Sequence, residues 1–555
     1  MSEQELRRKL TQRWGALKTE RESWMAHWQE ISELILPRSG RFFLTDRNKG
    51  EKRHNRILDS TGTRALRVLA AGMMAGMTSP ARPWFRLTTS DAELDEAAAV
   101  KTWLADVQRM MQMVFAKSNT YRALHSIYEE LGAFGTASSV VVPDFNKVIH
   151  HHTLTAGEYA IATDYAGRVN TLFREFQMTA AQMVAEFGKA NCSRTVQNMY
   201  DQGVLDKWVT VVHCIEPRAD RDMTKRDARN MPWRSVYFEP GSSEGKLLRE
   251  AGFREFPALC PRWATSGGDI YGNSPAMEVL GDVQQLQHEQ LRKAEGIDYQ
   301  TRPPIQVPTS AKGRDLDTLP GGVSYVDTAS PTGGIRSAFD VNLRLDYLLA
   351  DIQDVRERIR GGFYADLFLM LAGSDNRNMT ATEVAERHEE KLLMLGPVLE
   401  RLHNEILDPL IEMTFSRLVE ANVLPPAPEE LQGSELNVEF VSMLAQAQRA
   451  IATNSVDRFV NNLGVVAQFK PDVLDKLDAD RWADSYADML GIDPELIVPG
   501  KQVALIRQQR AQAQAQAQQA AMMQQGADTA AKLGSIKTNE DTALTSVMDA
   551  FTGYT

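Results

Sequence analysis

Residues 271–308, YGNSPAMEVLGDVQQLQHEQLRKAEGIDYQTRPPIQVP, and 343–362, LRLDYLLADIQDVRERIRGG, read as two long helices joined through a proline-rich insert. Ser274 is a good N-cap, and Pro275 suits the first helical position. Apolar residues then recur every three or four places, at Met277, Leu280, Val283, Leu286, Leu291 and Ala294. The insert Arg302-Pro303-Pro304-Ile305-Gln306-Val307-Pro308 leaves the helix, because proline lacks an N–H and clashes with the preceding turn. Helical spacing resumes at Leu345, Leu348, Leu349, Ile352, Val355 and Ile359, and stops at Gly361-Gly362. With its β-like module at one end, the stretch 267–379 makes a helical hairpin, not a pocket.

Working outward, residues 2–36 carry a capping box at Ser2 and Glu5 and an apolar stripe through Leu6, Leu10, Leu17, Trp24, Trp28, Ile31 and Ile35. The two tryptophans on that stripe read as core packing. Residues 38–56 hold seven basic side chains against two acidic ones. They read as a solvated loop or as a contact for DNA or an acidic neighbouring subunit. A small-residue helix over 60–77 has Gly72 and Gly76 for close backbone approach, and Trp84-Phe85-Arg86-Leu87 turns extended. Helices over 92–117 and 120–133 precede four consecutive strands, 138–142, 147–153, 158–163 and 168–177. A helix near 179–188 and further strands at 208–215, 235–239 and 253–263 complete an antiparallel sheet flanked by helices. The class is α+β. Past the hairpin, Thr380-Ala381-Thr382-Glu383 opens a long helix through Leu418, interrupted by Gly396-Pro397 and Pro409. A linker at 425–428, a strand at 436–441 and more helices follow. Between 502 and 525 lie ten glutamines and seven alanines, a helix former without a wide apolar face.

Formal charge is −11, against a protein whose main task is gripping phosphates, though not against a surface past which DNA slides. Cys192, Cys214 and Cys260 form no CxxC pair, and no signal peptide or membrane span is expected. The sequence 241–246, GSSEGK, is not a P-loop: its spacing is wrong and Leu247 stands where Ser or Thr belongs. Gly272-Asn273-Ser274-Pro275-Ala276 lacks the last glycine of a nucleophile elbow, and its serine reads as a cap. On a strand, at most two of His150, His151 and His152 share a side, with no ligand partner at metal spacing. Neither cofactor nor metal is expected, and the chain reads as a non-enzyme.

Two blocks carry a family resemblance: Arg56-Ile57-Leu58-Asp59-Ser60-Thr61-Gly62-Thr63, and Leu69-Ala70-Ala71-Gly72-Met73-Met74-Ala75-Gly76-Met77-Thr78-Ser79-Pro80-Ala81-Arg82-Pro83-Trp84-Phe85. Together they resemble the N-terminal signature of the portal, or head-to-tail connector, proteins of short-tailed tailed phages. Tyr271-Gly272-Asn273-Ser274-Pro275-Ala276 resembles the opening of the portal stem, and Met379-Thr380-Ala381-Thr382-Glu383-Val384 the segment after its channel loop. The order of the blocks matches over about 1–420; the Ala/Gln tail matches only in style.

That resemblance implies a wing at 1–266, a first stem helix at 267–301, a clip at 302–335, a second stem helix at 336–361 and a tunnel loop at 362–379. A long kinked helix would follow at 380–422, a crown at 423–500, and a C-terminal helix or barrel with a tail at 501–555. It implies a ring of twelve copies at one capsid vertex, through which double-stranded DNA is packaged and ejected. The partners implied are the terminase large subunit, tail adaptor or nozzle proteins, and the major capsid and scaffolding proteins, with no membrane. The location implied is the virion, after assembly in the host cytoplasm. On this reading Arg356, Arg358, Arg360, Asp351 and Asp354 are candidates for the channel wall, one charge stripe facing DNA and the other a neighbouring subunit. Leu367, Phe368, Leu369, Met370, Leu371, Asn376 and Arg377 are expected in the tunnel loop. Arg302, Ile305, Val307, Lys312, Arg314 and Asp315 are expected on the docking clip. Arg41, Arg47, Lys49, Lys52 and Arg53 are expected in the basic loop contact. A DNA-processing enzyme, such as a nuclease or motor subunit, and an oligomeric scaffold that never meets DNA are the rival readings.

Overall fold

The computed structural model describes residues 2–42, 55–91, 94, 97–225, 227–242, 244–301, 305–306, 336–337, 345–371, 395–431, 436–441, 459–490, 498 and 503–519. Two compact units divide the chain, Met1–Ile451 and Ala452–Thr555.

The first unit begins with the helix Glu3–Leu34, whose capping box closes as expected: the Glu5 amide donates to Ser2 Oγ and the Ser2 amide to Glu5 Oε2. Its apolar stripe serves two cores. Leu6, Leu10, Trp14 and Leu17 cover one face of a sheet, against Phe173, Val212, Val236 and Phe238. Trp28 and Ile31 belong to the main core, where Trp28 Nε1 donates to the Phe134 carbonyl at 3.0 Å. Tyr271, from the opening of the hairpin, meets the Trp28 ring edge-on at 5.2 Å. Packing accounts for both tryptophans of the stripe.

That sheet is a five-stranded antiparallel meander, Tyr159–Thr163, Val169–Thr179, Trp208–Pro217, Trp233–Phe238 and Arg249–Phe253 in sequential order. Its other face is covered at one end by the helices Ala180–Phe187 and Arg194–Asp201. The four strands expected as one run from 138 to 177 are divided between two sheets. Ser138–Asp144 and Val148–Leu154 pair with each other, and the first also pairs with Ala258–Leu259. The histidine run lies on this hairpin. His151 is buried, its Nε2 is 3.1 Å from Thr120 Oγ1, and its main chain is held by the Asn119 side chain. Burial, with His150 and His152 beside it, pushes the His151 imidazole down to about 4.

Beneath that hairpin sits Glu130, wholly inside the protein. Its carboxylate accepts from the Thr155 hydroxyl at 2.7 Å and the Ala156 amide at 3.2 Å. Burial dominates over these bonds and pushes the carboxyl from 4.5 up to about 7. A raised acid favours folding while it is protonated. Its contribution is therefore complete below 4.5, declines as pH rises, and is gone above about 7. Glu130→Gln is expected to flatten this part of the stability–pH curve, so that variant and parent diverge between pH 5 and 7.5 in thermal melts. Parallel curves would count against it.

The long helix after the hairpin is described from 395 onward. It passes through a π-helical turn, His403–Leu407, into Asp408–Glu420. Pro409 explains the turn: it has no N–H for the carbonyl one turn earlier, and its ring crowds that carbonyl. Leu436–Phe440, expected in the C-terminal crown, instead pairs antiparallel with Phe85–Thr89, so the first unit extends into the expected 423–500 region. In the second unit the helix Ala479–Leu490 stacks Trp482 on Tyr486, and Asp480 pairs with Arg507 of a fully exposed helix over 503–519.

Candidate functional site: the hairpin and its seat

Ser274 caps the first turn as its sequence predicts, accepting from the Met277 amide at 3.1 Å while its hydroxyl donates to the Ala133 carbonyl at 2.7 Å. With both bonds made inside the core, Ser274 is a cap and not a nucleophile. The turn Pro275–Glu278 breaks at Val279 before the long helix Leu280–Thr301 begins, where one continuous helix was expected. The second helix, Leu345–Gly362, ends against that break: a Cβ at Gly362 would lie 2.2 Å from Val279 Cγ1.

The expected apolar stripes divide along their length. At the base, Val283, Leu286, Ile352, Val355 and Ile359 are buried in the main core. Further along, Leu291 is 45 % exposed, Ile297 39 %, Tyr299 51 %, Tyr347 73 % and Leu349 45 %. Arg358 ties the two helices together, 2.9 Å from Asp282 and 3.3 Å from Asp354. Glu289 of the first helix is pushed up by burial, and Asp351 of the second adds to the rise.

The seat is the signature segment before the helix Thr61–Met77. Gln287, on the first hairpin helix, accepts from the Leu58 and Asp59 amides at 2.6 and 2.8 Å and donates to the Asp59 carbonyl at 2.9 Å. The Asp59 carboxylate then joins three helices. Its Oδ1 accepts from the Thr61 amide at 2.9 Å, at the start of Thr61–Met77. Its Oδ2 accepts from Gln290 at 3.1 Å on the first hairpin helix and from Arg356 at 2.7 and 3.1 Å on the second. Burial works to raise this carboxyl, but the Thr61 hydroxyl, the Arg356 guanidinium and the Thr61 amide outweigh it and hold it below its ordinary value. Two glycines of the signature make room. A Cβ on Gly62 would press Val283 at 3.3 Å, and one on Gly72 would overlap the Phe368 ring at 2.2 Å.

These positions reassign several expectations. Arg356, expected on the channel wall, is half-buried on Asp59, while Arg360, Asp351 and Asp354 are exposed. The tunnel loop is corrected where it is described: Ala365–Leu371 is a helix, with Leu367 and Phe368 buried in the core and Leu369 exposed. Met370 and Leu371 lie on that helix, while Asn376 and Arg377 fall outside the described residues. Of the clip, Ile305 lies in a two-residue bridge, Ile305–Gln306 with Arg336–Ser337. Arg302, Val307, Lys312, Arg314 and Asp315 lie outside the described residues, as do Arg47, Lys49, Lys52, Arg53 and the capping box at Thr380. Arg41 is 3.4 Å from Glu158, and its amide donates to the Ala156 carbonyl, so it is committed within the chain.

The anchoring residues Asp59, Gln287 and Gln290 were not singled out from sequence as a site. Asp59 two places before Thr61 carries a helix-start signal; its bond to Arg356 has no local signal. The three cysteines are buried, with burial pushing Cys192 up to about 11 and Cys260 up to about 12. Among the described residues no cluster of His, Cys, Asp or Glu could hold a metal ion, and no helix is long and apolar enough to cross a membrane.

A family model described as "Bacteriophage head to tail connecting protein" matches residues 7–498. The "Probable portal protein" of Bordetella phage BPP-1 is 75% identical over 555 residues, covering 100% of both chains. The "Portal protein" of Salmonella phage epsilon15 is 47% identical over 552 residues and covers 99% of each chain. A chain of a solved gene transfer agent virion covers 78% of this chain and 90% of its own at 10% identity and a TM-score of 0.34, too loose a likeness to carry weight.

Proposed function

The chain belongs to the bacteriophage head to tail connecting proteins, and we propose that its hairpin, repeated around a ring of copies, forms the wall through which double-stranded DNA passes. It is a portal protein, a structural component of the virion and not an enzyme. The observation that carries the channel reading is the divided stripe. Leu291, Ile297, Tyr299, Tyr347 and Leu349 are exposed on the far half of a hairpin whose base is buried. A second copy packed alongside removes those side chains from water, and repetition of that contact by rotation closes a ring.

On this reading twelve copies surround the channel, and −11 per copy leaves the assembly acidic enough that DNA slides without being gripped. Arg360, Asp351 and Asp354 remain candidates for the wall, with Arg356 withdrawn into the seat. The clip receives the terminase large subunit and later a tail adaptor or nozzle protein. Capsid and scaffolding proteins surround the ring, and assembly takes place in the host cytoplasm. The tunnel constriction falls to residues after Leu371.

Leu291→Glu with Tyr347→Glu places charge on the far half while leaving the seat untouched. Mass photometry of the full-length chain is expected to shift from closed rings to monomers, with helix content by circular dichroism unchanged. Rings at the parental yield would remove the hairpin from the subunit contact.

A further inference from the structure

We propose that Asp59 is the positioning residue that fixes the angle of the hairpin against the body of the chain, one carboxylate anchoring three helices. Its oxygens divide the work: Oδ1 caps the helix Thr61–Met77, which packs in the main core, while Oδ2 holds Gln290 and Arg356 on the two hairpin helices. The hairpin does not need Asp59 to stay a hairpin, because Arg358 already spans it to Asp282 and the stripe at Val283, Leu286, Ile352 and Val355 closes its base. What Asp59 supplies is the direction in which that unit points. Arg356 is the adjustable part, 35 % exposed at the side chain while its partner Asp59 is 8 % exposed. A buried anchor with a half-exposed arm on it lets the hairpin turn once the bond is broken.

The functional sense rests on the reading that the hairpin lines a channel; the test does not. Asp59→Asn keeps the Oδ1 cap but sets an amide N–H₂ against the Arg356 guanidinium and the Gln290 amide, donors facing donors. Adding Arg356→Gln supplies an acceptor and restores complementarity. Spin labels at Tyr299→Cys and His125→Cys, both exposed positions, report the distance from hairpin to body. The three buried native thiols react slowly under the same conditions. Full-length labelled chain is mixed with excess unlabelled chain, so that each assembly carries one pair, and measured by double electron–electron resonance. The parent is expected to give a narrow distance distribution, Asp59→Asn one at least twofold broader, and the double variant a narrow one again. A distribution for Asp59→Asn as narrow as the parent's overturns the proposal, whatever happens to its melting temperature. So does a broad one that Arg356→Gln leaves broad. Mass photometry of the same samples reads assembly separately, so loss of rings with a narrow distribution would count against the channel reading and not against the anchor.

Discussion

Gly72→Ala is expected to lower stability by about 3 kcal/mol, the upper end of the ordinary range for overpacking, and Gly72→Val to leave little soluble chain. A Cβ there falls 2.2, 2.3 and 2.5 Å from Cγ, Cδ1 and Cβ of Phe368. Those atoms are the root of the side chain, so rotation about the Phe368 bonds cannot clear them. Phe368 is 4 % exposed and has nowhere to withdraw. The helix Ala365–Leu371 must therefore lift from Thr61–Met77 as a body, taking Leu367 out of the core with it. Gly15 provides the control of opposite sign. It lies in the middle of Glu3–Leu34 with nothing within 4 Å of its Cβ position, so Gly15→Ala gains helix propensity, up to about 1 kcal/mol. Chemical unfolding of the two variants side by side checks both. Equal stabilities would mean that Gly72 is not in contact with Phe368 in solution.

The second large effect is expected at Arg262. Its side chain is 5 % exposed; its Nη2 donates to Glu405 at 2.6 Å and to the Gly167 carbonyl at 2.8 Å, and its amide donates to the same carboxylate at 2.8 Å. One guanidinium thus ties the π-helical turn His403–Leu407 to the turn between two strands of the five-stranded sheet. Arg262→Met leaves the Glu405 carboxylate, 19 % exposed, with the Arg262 amide and a distant Arg401 at 3.8 Å. Breaking a pair this buried costs about 3–5 kcal/mol, most of it the stranded charge and not the lost attraction. Arg262→Met with Glu405→Leu removes both charges and is expected to recover most of that loss. If the double variant is as unstable as the single one, the pair acts through geometry and the electrostatic account fails.

What was legible in the sequence was what repeats locally. Ser2 with Glu5 and Ser274 with Pro275 mark helix starts within four residues of themselves, and both caps form as read. The strands at 138–154 announced themselves by β-branched residues, but not which sheet they would join. That depends on Ala258–Leu259, more than a hundred residues on. The helix Arg194–Asp201 left no stripe to find, since Val196 is its one buried residue. The segment 363–371 was misread for the opposite reason. Phe363 and Leu367 stand at helical spacing, but nearly every neighbour is apolar too, and a pattern apolar all round hides its own period. The hairpin itself was visible; its seat was not. Asp59 and Arg356 are 297 residues apart, and nothing about either one names the other. Their pairing does give a physical reason for the signature block: its aspartate, threonine and glycines are what a hairpin needs in order to be held from outside its own chain segment.

Electron microscopy of the purified full-length chain tests the central claim most directly. The account predicts closed rings with a central hole wide enough for a duplex, its wall built from Leu280–Thr301 and Leu345–Gly362 of successive copies. Monomers, open filaments, or rings whose hole is lined by the five-stranded sheet with the hairpins outside would contradict it.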